Sequence, residues 1–276
     1  MLKRNLFYKL SPKYRFFVRK LYFSPIDFYE GITGKREKYI PKKGDIFIGP
    51  GDFKQKGQEQ LSLLKKYIAL KPNDKVLDIG SGMGRTAIHL TKYLNTDATY
   101  DGFDVVKKGV NWCQKTISKD FPNFKFQFVP LNNDLYNEYE GKAENFKFPY
   151  QDNLFDKSFL FSVFTHMRVN EIDNYLKEIQ RVLKIDGMCL ATFFIYRKNE
   201  DLSKFPGFKF PYEKEGYRLL DEKVQGANIA LEYSFLEKMI QDAGLEIEQH
   251  IVGFWRDFSL DRKDRDFQDV LILKKK

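Results

Sequence analysis

Five residues able to do chemistry fall close together in Val76-Leu-Asp-Ile-Gly-Ser-Gly-Met-Gly-Arg85: Asp78, Gly80, Ser81, Gly82 and Gly84. Glycines let a backbone turn sharply and approach a ligand, and a helix starting after the turn offers N–H groups with no partner of their own. Asp104 follows 20 residues beyond Gly84. A carboxylate there can accept hydrogen bonds from both hydroxyls of a ribose. Its competing role is to cap the next helix, and Asp101 competes for the ribose from mid-strand. The glycine spacing is GxGxG rather than the GxGxxG of dinucleotide sites. Asp78 adds a negative charge that is awkward for a pyrophosphate and comfortable for an ammonium or sulfonium group. S-adenosylmethionine carries a ribose, an ammonium and a sulfonium and no phosphate, so it suits these residues better than NAD. His166 is the best placed general base, because it follows an apolar run at the same end of the fold and its pKa range fits the task. Its competing role is a cap or a packing residue. His89, inside a helix, and His250, on a strand, read as structural.

These residues need a scaffold. Lys75–Ile79 is a short apolar run broken by one acid, the pattern of a strand covered on both faces. Thr86–Leu94 then has helical spacing. Thr99–Asp104, Phe124–Val129, Phe155–Phe161, Met188–Ile195, Leu245–Val252 and Phe267–Leu273 read as further strands. Helices are expected at Gln58–Leu70, Gly109–Ser118 and Asn170–Leu183, and from Ser234. The alternation implies an α/β fold with a mostly parallel sheet. No helix separates the last two strands, so the final one should run antiparallel. The aromatic-rich stretch 196–233 and the charged loop Trp255–Asp266 leave carboxyl ends of strands and should wall an acceptor pocket.

Charge divides the chain of 276 residues unevenly. Residues 1–43 hold 12 Lys/Arg against 3 Asp/Glu, while the remainder holds 35 of each. The excess is local, which argues against a fold that binds nucleic acid as a whole. We therefore expect two parts, a basic amphipathic extension over 1–43 and a domain over 44–276. In the extension, Ser11-Pro12 reads as a helix start, and Tyr14, Phe17, Val18, Leu21 and Tyr22 make one apolar face. That face either packs on the domain or docks on an anionic membrane surface. Ser24-Pro25 reads as a second helix start. No apolar run has the length of a membrane span, and a signal-peptide core is lacking. Cys113 and Cys189 read as buried hydrophobes in a reducing compartment. No metal-ligand spacing is present. The expected location is cytoplasmic, with peripheral contact at the inner membrane face.

The residues quoted above resemble the first motif of class I S-adenosylmethionine-dependent methyltransferases, and Asp104 resembles the acid of the second. Asn153-Leu-Phe-Asp-Lys-Ser-Phe-Leu-Phe-Ser-Val-Phe-Thr-His-Met167 looks like the fourth-strand motif, and Ile179–Gly187 like the turn before strand five. There the family's proline-glycine turn is Ile185-Asp-Gly187. The resemblance covers roughly residues 46–274. It implies a Rossmann-like seven-stranded sheet of order 3-2-1-4-5-7-6 with strand seven antiparallel. By the same resemblance, Gly80, Ser81, Gly82 and Gly84 contact the methionine part and Asp78 its ammonium. Asp104 takes the ribose, Val105 packs on the adenine, and Asn132 or Asn133 faces the adenine amine. Phe161 and Ser162 flank the carboxylate or methyl group, and Asp52 with Phe53 forms a lid. Phe47–Phe53, Ser162–Met167 and Phe267-Gln-Asp269 are similar to a bacterial subgroup associated with glycan or lipid modification. The implied acceptor is a small molecule, a sugar hydroxyl of a glycan or lipid-linked precursor. The alternatives are an RNA or protein methyltransferase and, from another class, a nicotinamide-dependent oxidoreductase.

Overall fold

Short apolar strands alternate with amphipathic helices to build a doubly wound sheet, seen in a computed structural model that describes residues 12–49, 51–133, 137 and 139–276. Helices α1 (Pro12–Ile32) and α2 (Phe53–Tyr67) precede it. Then come β1 (Lys75–Ile79), α3 (Ala87–Leu90), β2 (Thr99–Asp104), α4 (Lys107–Cys113), β3 (Phe124–Phe128), β4 (Phe155–Leu160), α5 (Val169–Val182) and β5 (Leu183–Phe193). The remainder comprises β6 (Ile195–Tyr196), β7 (Tyr212–Lys214), β8 (Tyr217–Leu219), β9 (Ile229–Glu232), α6 (Tyr233–Asp242), β10 (Leu245–Ile251) and β11 (Asp269–Lys275). The main sheet runs β3-β2-β1-β4-β5-β11-β10, and only β11 opposes its neighbours. That is the expected order, with the expected reversed strand.

Burial explains why each element sits where it does. Val76, Leu77 and Ile79 are fully buried because helices cover both faces of β1. One core packs α5 and α6 against one face through Ile172, Leu176, Ile179 and Leu236. The other packs α2, α4 and the helical turn Gln114–Ser118 that continues it against the opposite face through Leu61, Leu64, Val110 and Ile117. Cys113 and Cys189 are buried and free.

Four local expectations need correction. The N-terminal segment is one helix of 21 residues running through Pro25, not two. Pro25 and Leu21 both face solvent there, so the carbonyl that proline deprives of a partner lies on the open side of the helix. Ser11, the expected cap, lies outside the described residues. The helix after β1 shrinks to the single turn of α3. The turn at Asp186-Gly187 is absorbed into β5 as an irregularity, because Phe155 pairs with Leu183 while Lys157 pairs with Met188. Finally, the stretch 196–233 is not a plain connection but forms a second sheet, β6-β9-β8-β7.

The two sheets are tied together at Asp269, which is fully buried. Its Oδ2 accepts the Ile195 N–H at 2.9 Å and the Trp255 indole N–H at 2.6 Å, and its Oδ1 accepts the Gly253 N–H at 3.0 Å. Trp255 in turn packs edge-on to Phe194, Phe205 and Phe210. Replacing the carboxylate would orphan three buried donors. Asp269→Ala is expected to lower the unfolding free energy by about 3 kcal/mol or more. Asp269→Asn, which retains one acceptor oxygen, should fall between; urea denaturation of the three proteins checks the ranking.

Candidate functional site

The loop after β1 is shaped by the strand beside it. The Gly80 and Ser81 N–H groups both donate to the Phe103 carbonyl, at 2.9 and 3.0 Å. The Gly82 N–H donates to Asp104 Oδ2 at 2.8 Å, and Asp104 Oδ1 accepts the Val106 N–H at 2.7 Å. Asp104 therefore performs the turn role, while the four acceptor directions of its carboxylate are not all used by these backbone N–H groups. Gly80 has φ +80°, and a Cβ there would come within 2.4 Å of Val163. At Gly109 the obstacle is the Gly82 carbonyl, 2.2 Å from where a Cβ would stand. The glycines thus serve close packing of protein on protein, more than the ligand approach expected from the sequence.

Charge at this floor is unusual. Asp78 is buried and accepts the Tyr100 hydroxyl at 2.5 Å. Burial pushes its carboxyl up to about 7, against the pull of that hydrogen bond and helped by the nearby Asp104 charge. Asp104 is raised by burial to about 6. Ser81 Oγ is buried with no partner. Two carboxylates, an orphaned hydroxyl and loop N–H groups already committed to protein acceptors make a poor anion nest. They fit the ammonium and ribose of S-adenosylmethionine.

Above the floor lies a cavity of about 740 Å³. Every residue expected to contact a cofactor, Gly84 excepted, lines it: Asp78, Gly80, Ser81, Gly82, Asp104, Val105, Asn132, Phe161 and Ser162. Gly84 packs instead toward Ile117 and Cys113. Asn132 and Asn133 both reach the cavity, and the Asn133 side chain donates to the His166 carbonyl at 3.1 Å. Ser162 takes φ +58°, donates its N–H to Thr192 Oγ1 at 2.7 Å, and its hydroxyl to Gln268 Oε1 at 3.1 Å. His166 lines the same cavity from a short 3-10 turn after β4. Its Nδ1 lies 2.7 Å from the Gly226 carbonyl, an acceptor only. The neutral ring must donate there, which puts its lone pair on Nε2.

Not every expectation holds. Asp52 caps α2, accepting the Gln55 N–H at 2.8 Å, and Phe53 is core, so the pair is no lid. The Arg85 guanidinium lines the cavity beside them. It donates to the Ile48 and Gly49 carbonyls and lies over the Phe53 ring, and burial lowers it to about 10. The stretch 196–233 and the loop Trp255–Asp266 do wall the cavity as expected, through Phe208, Asn228, Arg262 and Asp266, although Trp255 and Phe210 themselves are buried in the small core. Tyr100, Arg85, Tyr175 and Gln268 escaped the sequence reading. Tyr100 was within reach of it, since alternation puts Tyr100 and Gly102 on one strand face and Gly102 pairs with Asp78. His89 and His250 are structural, the latter stacked on Tyr233 and 3.4 Å from Asp269. Among the described residues no group of three or more His, Cys, Asp or Glu is placed to hold a metal.

Comparison with known proteins agrees with this geometry. Residues 70–203 match a family model described as "Methyltransferase domain". "Uncharacterized methyltransferase YcgJ" of Bacillus subtilis (strain 168) is 29% identical over 138 residues, 49% of this chain and 46% of the relative. The chain thus spans about half the length of this curated relative. Among solved structures, the PH0226 protein from Pyrococcus horikoshii OT3 superposes with TM-score 0.56 at 16% identity, covering 84% of this chain and 95% of its own. The [4+2]-cyclase SpnF superposes with TM-score 0.55 at 18% identity, over 82% and 85%. At such identities the likeness concerns the fold alone.

Because the Asp78 carboxyl is raised in the folded chain, its ionisation costs stability as pH climbs from its ordinary value of 3.8 through about 7. Asp78→Asn keeps an acceptor for Tyr100 and removes that cost. The variant should be more stable than the parent at pH 8 by about 2–4 kcal/mol, with the gain shrinking toward pH 4. Thermal melts at the two pH values test the sign.

Proposed function

We propose, for a chain that carries a class I S-adenosylmethionine-dependent methyltransferase domain, that it methylates a small polar acceptor, a sugar hydroxyl of a glycan or lipid-linked precursor. One observation carries the choice of methyl donor. The loop N–H groups that would cradle a pyrophosphate are spent on Phe103 and Asp104, and two buried carboxylates face the cavity. A nicotinamide dinucleotide would meet negative charge where it needs donors.

S-adenosylmethionine, when bound, supplies a methyl group made electrophilic by its sulfonium. Asp78 in its ionised form would hold the ammonium, and the remaining acceptor directions of Asp104 would hold the ribose hydroxyls. Val105 and Asn132 suit the adenine, and Phe161, Ser162 and Ser81 the methionine end. The protein's main contribution is position: a rigid floor and a walled cavity hold acceptor and donor in line and keep water out. A hydroxyl acceptor must also lose its proton. His166 Nε2 carries the lone pair that can take it, and the Gly226 carbonyl steadies the imidazolium that results. Phe208 and Phe254 offer faces for a ring, and Asn228, Asp266 and Gln268 offer hydrogen bonds to its hydroxyls.

The donor is tested by thermal shift: S-adenosylmethionine or its demethylated product should raise the melting temperature and NAD should not. Asp104→Ala should weaken cofactor binding by calorimetry at least tenfold, roughly the value of one or two hydrogen bonds to a charged group. Donor affinity should fall as pH drops below about 7, where Asp78 becomes neutral. His166→Ala should cut turnover by about 10²-fold or more and leave cofactor affinity unchanged. Transfer of labelled methyl groups into fractionated extract reads the acceptor. Label in lipid or glycan fits; label in RNA or protein rejects the acceptor and spares the donor.

A further inference from the structure

Helix α1 is mounted with its polar side inward. Asp27 accepts the Lys43 and Gly44 N–H groups, at 2.7 and 2.9 Å, with Arg36 alongside at 3.9 Å. Glu30 pairs with Lys43 at 2.6 Å, and Arg19 donates to the Lys43 carbonyl at 3.3 Å while lying over the Phe23 ring. Gly44 lets the helix backbone close in, since a Cβ there would stand 3.1 Å from the Lys20 Cα. These contacts turn the other side outward. Tyr14, Phe17, Leu21, Phe28 and Ile32 fall on one stripe at helical spacing and are 57–71% exposed, and Tyr22 is exposed on its flank. Ordinary amphipathic helices on a globular domain bury such a stripe.

The charges say what should cover it. Residues 12–43 carry nine Lys/Arg and three Asp/Glu. The helix's own two acids, Asp27 and Glu30, are both engaged on the inward side, and Glu37 pairs with Lys54. The outward side is therefore apolar and aromatic without a carboxylate, beside a segment that stays net basic after Asp45 and Asp120 of the domain pair with Lys20 and Lys38. A second copy of the chain would bring the same positive charge against it. A bilayer with anionic headgroups is complementary on both counts, and mixed Tyr and Phe suit the depth of the headgroup boundary. At 21 residues the helix is long enough to lie along that surface. Among the described residues no helix is long and apolar enough to cross it.

We propose that α1 is an interfacial anchor that seats the protein on an anionic membrane surface through Tyr14, Phe17, Leu21, Phe28 and Ile32. The inward side of the same helix contributes Arg19 to the cavity lining. Docking therefore sets the cavity rim beside the bilayer. On the reading of the preceding section, the chain then takes its acceptor from amphiphiles whose headgroups stand at that surface.

Flotation of the full chain with vesicles decides the matter. It should float with phosphatidylcholine vesicles containing phosphatidylglycerol, at least about tenfold less with phosphatidylcholine alone, and less again in high salt. Phe17→Ser/Leu21→Ser/Phe28→Ser should lose flotation by about tenfold or more, since apolar burial drives the insertion. Its melting temperature and its S-adenosylmethionine binding should match the parent, because these side chains touch neither core nor cavity. Should the triple variant melt early, the single Leu21→Ser is read in its place. Failure of the parent to float, or equal flotation with both vesicles, overturns the anchor. So does a parent dimer in light scattering that the triple variant converts to monomer. Cofactor titration is scored separately, so loss of the anchor does not count against the methyl donor, nor the reverse.

Discussion

Everything at the floor of the cavity depends on one carboxylate accepting two backbone N–H groups. Asp104 stands at the end of β2 and grips the loop after β1 through Gly82 and its own following turn through Val106. Without that grip, a glycine-rich loop with positive φ at Gly80, Gly82 and Gly84 would have many alternatives of similar energy. With it, the loop lies flat against β2 and α4, near enough that Gly109 cannot carry a side chain. The cost is a buried negative charge, visible in the upward shift of Asp104 and, beside it, of Asp78. A cationic, ribose-bearing ligand relieves that cost; an anionic one compounds it. Ligand choice thus follows from what holds the loop in place.

The opposite side of the cavity is built on a different principle. There a buried acid, Asp269, collects three N–H groups from two segments and fixes an aromatic cluster around Trp255. The second sheet hangs from this cluster, and the connections between its strands supply Asn228 and Phe208 to the cavity. Ser162 and Gln268 join the halves by a hydrogen bond, so the strand ends on which the two sites rest cannot shift independently. The neighbour titled as a [4+2]-cyclase shows that this fold is found in a protein named for other chemistry. Activity must come from the side chains around the cavity, not from the sheet beneath it.

Much of the sheet was legible in the chain. Strands with both faces buried read as apolar runs, helices with one buried face read as three-to-four periodicity, and a missing crossover helix announced the reversed strand β11. The cofactor half was legible for the same reason: its residues sit in a short local pattern around β1 and at the end of β2. The stretch 196–233 was not. Its strands are two to four residues long and too short for alternation to rise above the noise, and they are held by an aromatic cluster gathered from distant segments.

Residue types and spacing by themselves determined the fold class, the reversal of the last strand and the acids and glycines of the floor, because those depend on periodicity and on neighbours a few residues away; the strand order came from the resemblance of the motifs to a known family. Tertiary structure alone decided how each polar group is satisfied. It gave Asp78 the Tyr100 hydroxyl, committed the loop N–H groups to β2, set the His166 tautomer through Gly226, and replaced the expected Asp52 lid with a helix cap. It also decided which side of α1 faces inward. Periodicity shows that a helix has an apolar face, but whether that face is buried depends on the surface opposite. Here that surface is a polar turn at Lys43–Asp45 that prefers carboxylates to aromatic rings, so the rings face out.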